Sequence, residues 1–299
     1  MKLQLHNVIG LLRSAVLTIA FWVSSGAHAS DFEIEGRVLQ VFGGTTNHFD
    51  FRVTALAPRY QIWTRDHRKP ATERTVGYDG TDVHQVDRLT DAGGNIVEFG
   101  HRHSGNGASQ LDGLGGFLRL AFLLGPESSA NSGPTELSHF SENKPIFGSH
   151  RSVPLTNGPM PATAFPMIRF LGSRPGGPVD ESIGEFRVTE WTRFHGVSIP
   201  KRFLLRSQLP PSLSQGRPPQ EMESMSGEVT RISVPAPSDL LPRLTTSHVQ
   251  VRDSRFLADT GDPVGYTITN RVWPSRQDPW LVKTVRNSAA AHQKRALTH

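Results

Sequence analysis

The sequence predicts an α+β domain, mainly antiparallel β: a meander sheet covered by one or two helices and a long irregular excursion. Three observations carry this. Apolar residues recur with a period of two from residue 32 to about 104, the pattern of half-buried strands. An apolar stretch with helical spacing follows from Leu111 to Leu124, and residues 125–180 are then rich in proline and lack periodicity. Alternation returns after residue 185, and strands on both sides of a helical and irregular middle imply one sheet built from both ends of the chain rather than two domains.

The first residues set a compartment. Lys2 and Arg13 flank or precede the apolar run Ala15 to Val23, and Ala27-His28-Ala29 has the small-x-small form that signal peptidase requires. Residues 1–29 therefore read as a signal peptide cleaved before Ser30. The run is too short for a permanent span, which needs about 20 apolar residues. No cysteine follows it to carry a lipid anchor, and Cys is 0 in the whole chain, so neither disulfides nor thiolate chemistry contribute. The expected mature protein is exported, periplasmic or extracellular, and its stability rests on a core. Losing residues 1–29 takes the formal charge from +5 to +3. A charge that small, with a sequence pI ≈ 9.9 and no Lys/Arg run interleaved with aromatics, points to solubility and not to nucleic acid.

Residues 30–286 are expected to form a single β-rich domain. Phe32, Ile34 and Val38 alternate with Glu33, Glu35 and Arg37; Phe49, Phe51 and Val53 with Asp50, Arg52 and Thr54; Tyr60 and Ile62 with Arg59 and Gln61. Turn chemistry at Gly43 to Asn47, Ala57-Pro58, Asp79-Gly80 and Asp91 to Asn95 makes sequential strands neighbours. At Asp79-Gly80 a two-residue type I′ loop would set Tyr78 opposite Thr81 and Val76 opposite Val83. Asp82 and His84 would then share the other face, with Asp79 at the tip, a geometry ill suited to one metal ion.

Leu111, Leu114, Leu118, Ala121 and Phe122 stand at helical spacing and predict a helix buried against the sheet. Gly113, Gly115 and Gly116 oppose it at about 1 kcal/mol each relative to alanine. A second small helix is expected at Phe165 to Leu171, inside the covering excursion of residues 125–180. The later strands are read from Phe186, Val188 and Trp191, then Phe203 to Leu205, Glu228 to Val234, Val249 to Asp253 and Tyr266 to Thr269, with an exposed loop at 208–220. Residues 287–299 read as a polar tail, frayed helix or disordered.

Catalytic motifs are missing at the level of spacing: the sequence has no Gly-x-Ser-x-Gly, no His-Glu-x-x-His and no phosphate-binding glycine loop followed by Lys-Ser/Thr. His101 and His103, at i and i+2, would project from one face of a strand and are the candidate pair for a metal-dependent hydrolase, with His48, His84, His139 and His150 as further ligands at no telling spacing. Glu181, Glu185 and Glu190 lie close in sequence but read as surface carboxylates beside Arg187.

With its signal peptide, Phe49-Asp-Phe-Arg-Val53, Tyr60-Gln-Ile-Trp63, Tyr78-Asp-Gly-Thr-Asp-Val83, a helical segment and then more strands, the chain resembles the LolA/LolB lipoprotein carriers and related periplasmic proteins. That resemblance implies a strongly bent sheet, an open half-barrel, wrapping its helices around an apolar cavity. The proline-rich middle and the insert near Pro210 are departures from it. If Phe49, Phe51, Tyr60, Ile62, Val76, Tyr78 and Val83 share one face, then with Leu118 and Phe122 above it they form either an ordinary core or the wall of a cavity for a lipid or acyl chain. The expectation is a non-enzymatic, apolar or amphipathic ligand-binding protein, with no cofactor and no metal. An envelope protein and peripheral contact with a membrane are its other expected partners, and a structural module of the cell envelope is the alternative.

Overall fold

The computed structural model describes residues 31–56, 58–67, 72–91, 93–105, 113–126, 135–138, 155–157, 167–172, 181–209, 220–236 and 239–296. The expected signal peptide, Leu111, most of the covering excursion and the loop around Pro210 lie outside them.

The alternating N-terminal segment forms six strands: β1 (Phe32–Phe42), β2 (Thr45–Leu56), β3 (Arg59–Asp66), β4 (Glu73–Tyr78), β5 (Asp82–Thr90) and β6 (Ile96–Ser104). Each pairs antiparallel with the next. Helix α1 (Gly113–Phe122) follows, then the short strands β7 (Leu124–Pro126), β8 (Thr135–Ser138) and β9 (Leu155–Asn157), and β10 (Met167–Gly172). Three long strands come next, β11 (Glu181–Phe194), β12 (Val197–Leu209) and β13 (Gln220–Ser233). The chain ends with β14 (Val249–Asp253), a 3-10 turn at Ser254–Phe256, α2 (Leu257–Thr260), β15 (Val264–Ile268) and α3 (Pro279–Ala296).

Thirteen strands make one sheet in the order β15-β14-β6-β5-β4-β3-β2-β1-β13-β12-β11-β10-β8, whose two edges do not pair, so it stays open. Register shifts at Glu35/Gly36, Ser207/Gln208 and in β11 around Glu190 are bulges of the kind that bend a sheet. The concave face holds the larger core. Phe32, Ile34, Phe51, Val53, Phe186 and Phe203 pack against Phe117, Leu118, Leu120, Ala121 and Phe122 of α1. From Gly116 to Leu123 the helix is buried all round, which is why its sequence is apolar beyond a single stripe. Its one cation, Arg119, stacks 5.7 Å over the Tyr60 ring.

Two glycines make room for this core. An alanine methyl at Gly36 would collide with the Glu228 carbonyl and the Phe51 ring, and one at Gly227 would strike the Phe203 ring. Gly36→Ala should therefore lower stability by about 3 kcal/mol, as overpacking does. A shift in urea midpoint smaller than that of an exposed control such as Gly265→Ala, where a methyl meets nothing, would refute the account.

A second core occupies the opposite face of the sheet at its other end. Val86, Leu244, Val249, Val251 and Ile268 pack there with Tyr266 and Trp273, so β5 is covered on both sides at its start, where Val83 belongs to the concave core. Polar side chains pin this layer. The Glu98 carboxylate accepts from the Thr245 and Thr246 N–H groups at 2.8 Å each, from both threonine hydroxyls and from Arg88. Burial would raise its pKa, but these donors outweigh it and hold it below the usual glutamate value. Nearby, Arg255 forks onto Asp253 and reaches Asp82 at 3.0 Å, Arg276 holds Asp82 at 2.6 Å, and Arg102 donates to the Pro274 carbonyl.

Three expectations change. The second small helix expected at Phe165 to Leu171 is, from Met167 on, the strand β10, because Ile168 is buried in the core and the segment pairs with β11 and β8; Phe165 lies outside the described residues. Of the two readings of the polar residues from 287, frayed helix or disordered, the helix is the one described: α3 continues to Ala296, with Leu281 fully buried and His292 close over Gly261. The Asp79-Gly80 turn is shifted by one residue: the two-residue loop is Gly80-Thr81, closed by the Asp79 N–H donating to the Asp82 carbonyl at 3.2 Å. Tyr78 pairs with Val83 and Val76 with Gln85, because the Asp79 carboxylate accepts from the N–H groups of both Thr81 and Asp82 at 2.8 Å, and only Gly80 there has positive φ.

Candidate functional site

The period-two pattern places inward residues of successive strands in rows. Ile62 pairs with Val76, Val76 with Gln85, Gln85 with His101, and the next row carries Asp87 opposite Phe99. Where α1 begins, this concave face is not filled. A half-open groove of ≈ 530 Å³ lies there, with an apolar floor of Phe49, Ile62, Val76, Leu89 and Phe99, and Leu114 and Gly115 of α1 as one wall. Leu89 and Phe99 remain 39% and 37% exposed, large apolar side chains turned into the groove without a cover among the described residues.

Gln40, Thr64, Asp66, Thr72, Glu73, Arg74, Asp87 and His101 complete the lining. Arg74 pairs with Asp87, and His101 Nε2 stands 3.9 Å from Asp87 Oδ2. Burial holds His101 below the usual histidine value; Asp87 opposes that shift and Arg74 and Arg252 add to it. The polar margin thus carries the Arg74–Asp87 ion pair beside a neutral imidazole, with Asp66 and with Glu73, whose carboxylate is held by Arg65 and Arg88.

Of the residues read from the sequence as ligand wall, Phe49, Ile62 and Val76 line the groove. Phe51, Tyr60, Tyr78, Val83, Leu118 and Phe122 lie in the interior at exposures from 0% to 6%. Phe51 meets Phe122 and Phe203 at ring centroid distances of 5.9 and 6.4 Å, and Tyr60 meets Tyr78 at 5.5 Å, so α1 lies directly on them. Leu89, Phe99 and Leu114 were not anticipated. The signal was there in part: Leu89 follows Val83 at even spacing and Phe99 precedes His101 by two, so strand period alone put them on the same face.

His101 and His103 do share the concave face, opposite Gln85 and Val83. Among the described residues no three His, Asp or Glu side chains stand close enough to hold an ion together, so the pair has no third ligand there. The expected separation of Asp79 from His84 is corrected: His84 Nε2 lies 3.0 Å from Asp79 Oδ2, because Asp79 is not the tip of the turn but stands opposite Asp82 at the start of β5. Asp82 points instead to Arg255 and Arg276. Glu185 pairs with Arg187, and Glu190 with Lys201 and Arg202, a charge ladder on the outer surface.

No family model and no curated protein matches the sequence. Among solved structures the chain is similar to a DUF1329 family protein from Desulfovibrio piger, at 8% identity and a TM-score of 0.36, over 76% of this chain and 94% of that one. It is also similar to a LolA superfamily protein from Nitrosomonas europaea, at 10% identity and a TM-score of 0.36, over 71% and 89% of the two chains. The likeness is one of fold alone.

Proposed function

We propose that this chain is an exported, non-enzymatic protein that binds an apolar or amphipathic small molecule, a lipid or acyl chain, in the groove between the concave face and the start of α1. The observation that carries this is the groove's make-up. Its ≈ 530 Å³ falls within the range of small-molecule sites, which are mostly apolar with a few placed polar groups. An acyl chain would lie along Phe49, Ile62, Val76 and Phe99, and a polar end would meet Arg74, Asp87 and His101 at the margin. Export rests on the N-terminal apolar run with Ala27-His28-Ala29; the mass of the mature protein tests cleavage before Ser30.

Purified protein should take up a fluorescent fatty acid, and Val76→Asp should abolish uptake while leaving thermal unfolding close to wild type. Val76 and Phe49 are only half-buried, so a carboxylate there reaches water at the groove; at Phe51, 1% exposed, it would unfold the core instead. If the wild type binds no dye and native mass spectrometry shows no carried ligand, the proposal fails.

A further inference from the structure

The C-terminal helix carries a charge pattern that the groove does not use. Across Pro279–Ala296, α3 contains Lys283, Arg286, His292, Lys294 and Arg295 and neither Asp nor Glu. Lys294 and Arg295 sit in its last turn, where cations complement the helix dipole, so they have a structural explanation. Lys283 and Arg286 do not: they lie in the first half of the helix, exposed, and neither has an ion-pair partner among the described residues, as is true of exposed Arg271 just before the helix. The two acids flanking this surface are engaged, Asp262 with Arg295 and Asp278 with Ser275.

Apolar groups stand beside these cations. Trp280, 45% exposed, rests edge-on against Tyr266 at 5.3 Å, and Val272, 61% exposed, lines the same surface hollow. Trp280 and Lys283 are three residues apart, as are Lys283 and Arg286, so they form one helical stripe. An exposed indole flanked by unpaired cations matches the interface of an anionic bilayer, where tryptophan sits at headgroup level and Lys/Arg meet the surface charge. An acidic protein would match the cations but leaves Trp280 and Val272 unexplained. No helix among the described residues is long and apolar enough to cross a membrane, so contact here is peripheral.

We infer that the stripe Trp280, Lys283 and Arg286, with Arg271 and Val272 at its start, docks the protein on an anionic lipid surface. The inference stands apart from the groove, which opens on the concave face at β1 to β6, whereas α3 packs beside β15 at one edge of the sheet.

Co-sedimentation of the purified protein with vesicles tests it. Vesicles of equal parts phosphatidylcholine and phosphatidylglycerol should bind the protein, pure phosphatidylcholine far less, and added salt should reverse binding. K283A/R286A should weaken the partition on anionic vesicles roughly thirtyfold, with an unchanged melting temperature. Trp280→Ala should weaken it further, whereas Val76→Asp, which empties the groove, should leave it intact. Equal binding to both vesicle types, or an unchanged partition for K283A/R286A, overturns the inference. So does salt-sensitive binding to soluble polyglutamate without any vesicle binding, which assigns the stripe to an acidic protein.

Discussion

Replacing Asp82 by alanine is expected to lower the free energy of unfolding by about 4 kcal/mol, because removing one member of a buried ionic cluster leaves its partners uncompensated. Asp82 is 4% exposed and receives Arg255 at 3.0 Å and Arg276 at 2.6 Å, with Arg102 at 3.9 Å. Burial would raise its pKa, but the two guanidinium hydrogen bonds reverse that and hold it below the usual aspartate value. Without Asp82, Asp253 alone would face Arg255 and Arg102 in a region sealed by Trp273 and Pro274. The cluster joins the first residue of β5 to the segment after β14 and to the loop before α3, so its loss should loosen the whole C-terminal layer. Urea unfolding of the single variant and of Asp82→Ala with Arg276→Ala measures this. The double variant should lose about as much as the single one, since the Arg276 side chain, 44% exposed, meets water once Asp82 is gone and the stranded charge is the buried Arg255. A loss under about 1 kcal/mol in the single variant, the worth of an exposed pair, would show that the cluster is solvated and not structural.

Acid should destabilise the same layer through a different group. His84 is 1% exposed, and its pKa is lowered from 6.5 to about 4 by burial first and by Arg102 second, with Asp79 and Asp82 opposing. Its ring stands edge-on to Trp273 at 5.1 Å. The folded protein keeps this imidazole neutral while the unfolded chain binds a proton below 6.5, so stability falls as pH drops through that value and the loss is complete near the folded pKa. Between pH 7 and 4 it amounts to about 3 kcal/mol. His101 and His103 are shifted in the same direction and add to the slope. The carboxylates Asp79 and Asp82, held low, contribute only as the pH falls below the ordinary aspartate range. The test is therefore a difference: His84→Gln should flatten the pH dependence of the unfolding free energy across this window relative to wild type. An identical slope in the two proteins would mean that His84 titrates normally.

Much of the concave face was legible in the sequence. Period two assigned Phe49, Phe51, Tyr60, Ile62, Val76, Tyr78 and Val83 to one side, and helical spacing brought Leu118 and Phe122 over it. What period cannot encode is depth. Phe51 and Phe49 are adjacent inward positions on β2, yet one is sealed under Phe122 and Phe203 while the other opens to the groove, because α1 covers the sheet only so far. Short apolar runs are similarly ambiguous: Phe165 to Leu171 suits a helix turn or a strand, and pairing with β11 and β8 chose the strand. Asp79-Gly80 fits a type I′ turn by composition, but the Asp79 carboxylate captured two backbone N–H groups and the loop moved one residue on, to Gly80-Thr81.

The sequence by itself determined the strand faces, the all-round apolar helix that must be buried, and the character of a mainly antiparallel domain, since these follow from local periodicity and turn chemistry. Only the tertiary structure decided that the outer face of β5 and β6 is also a core, that Asp82 and His84 are buried polar pins and not surface or metal ligands, and where the concave face is left open. The first two outcomes depend on contacts between residues more than 150 positions apart, such as Asp82 with Arg255 and Arg276, and the third on where α1 stops over the sheet. Local spacing carries no record of such partners; chain packing alone brings them together.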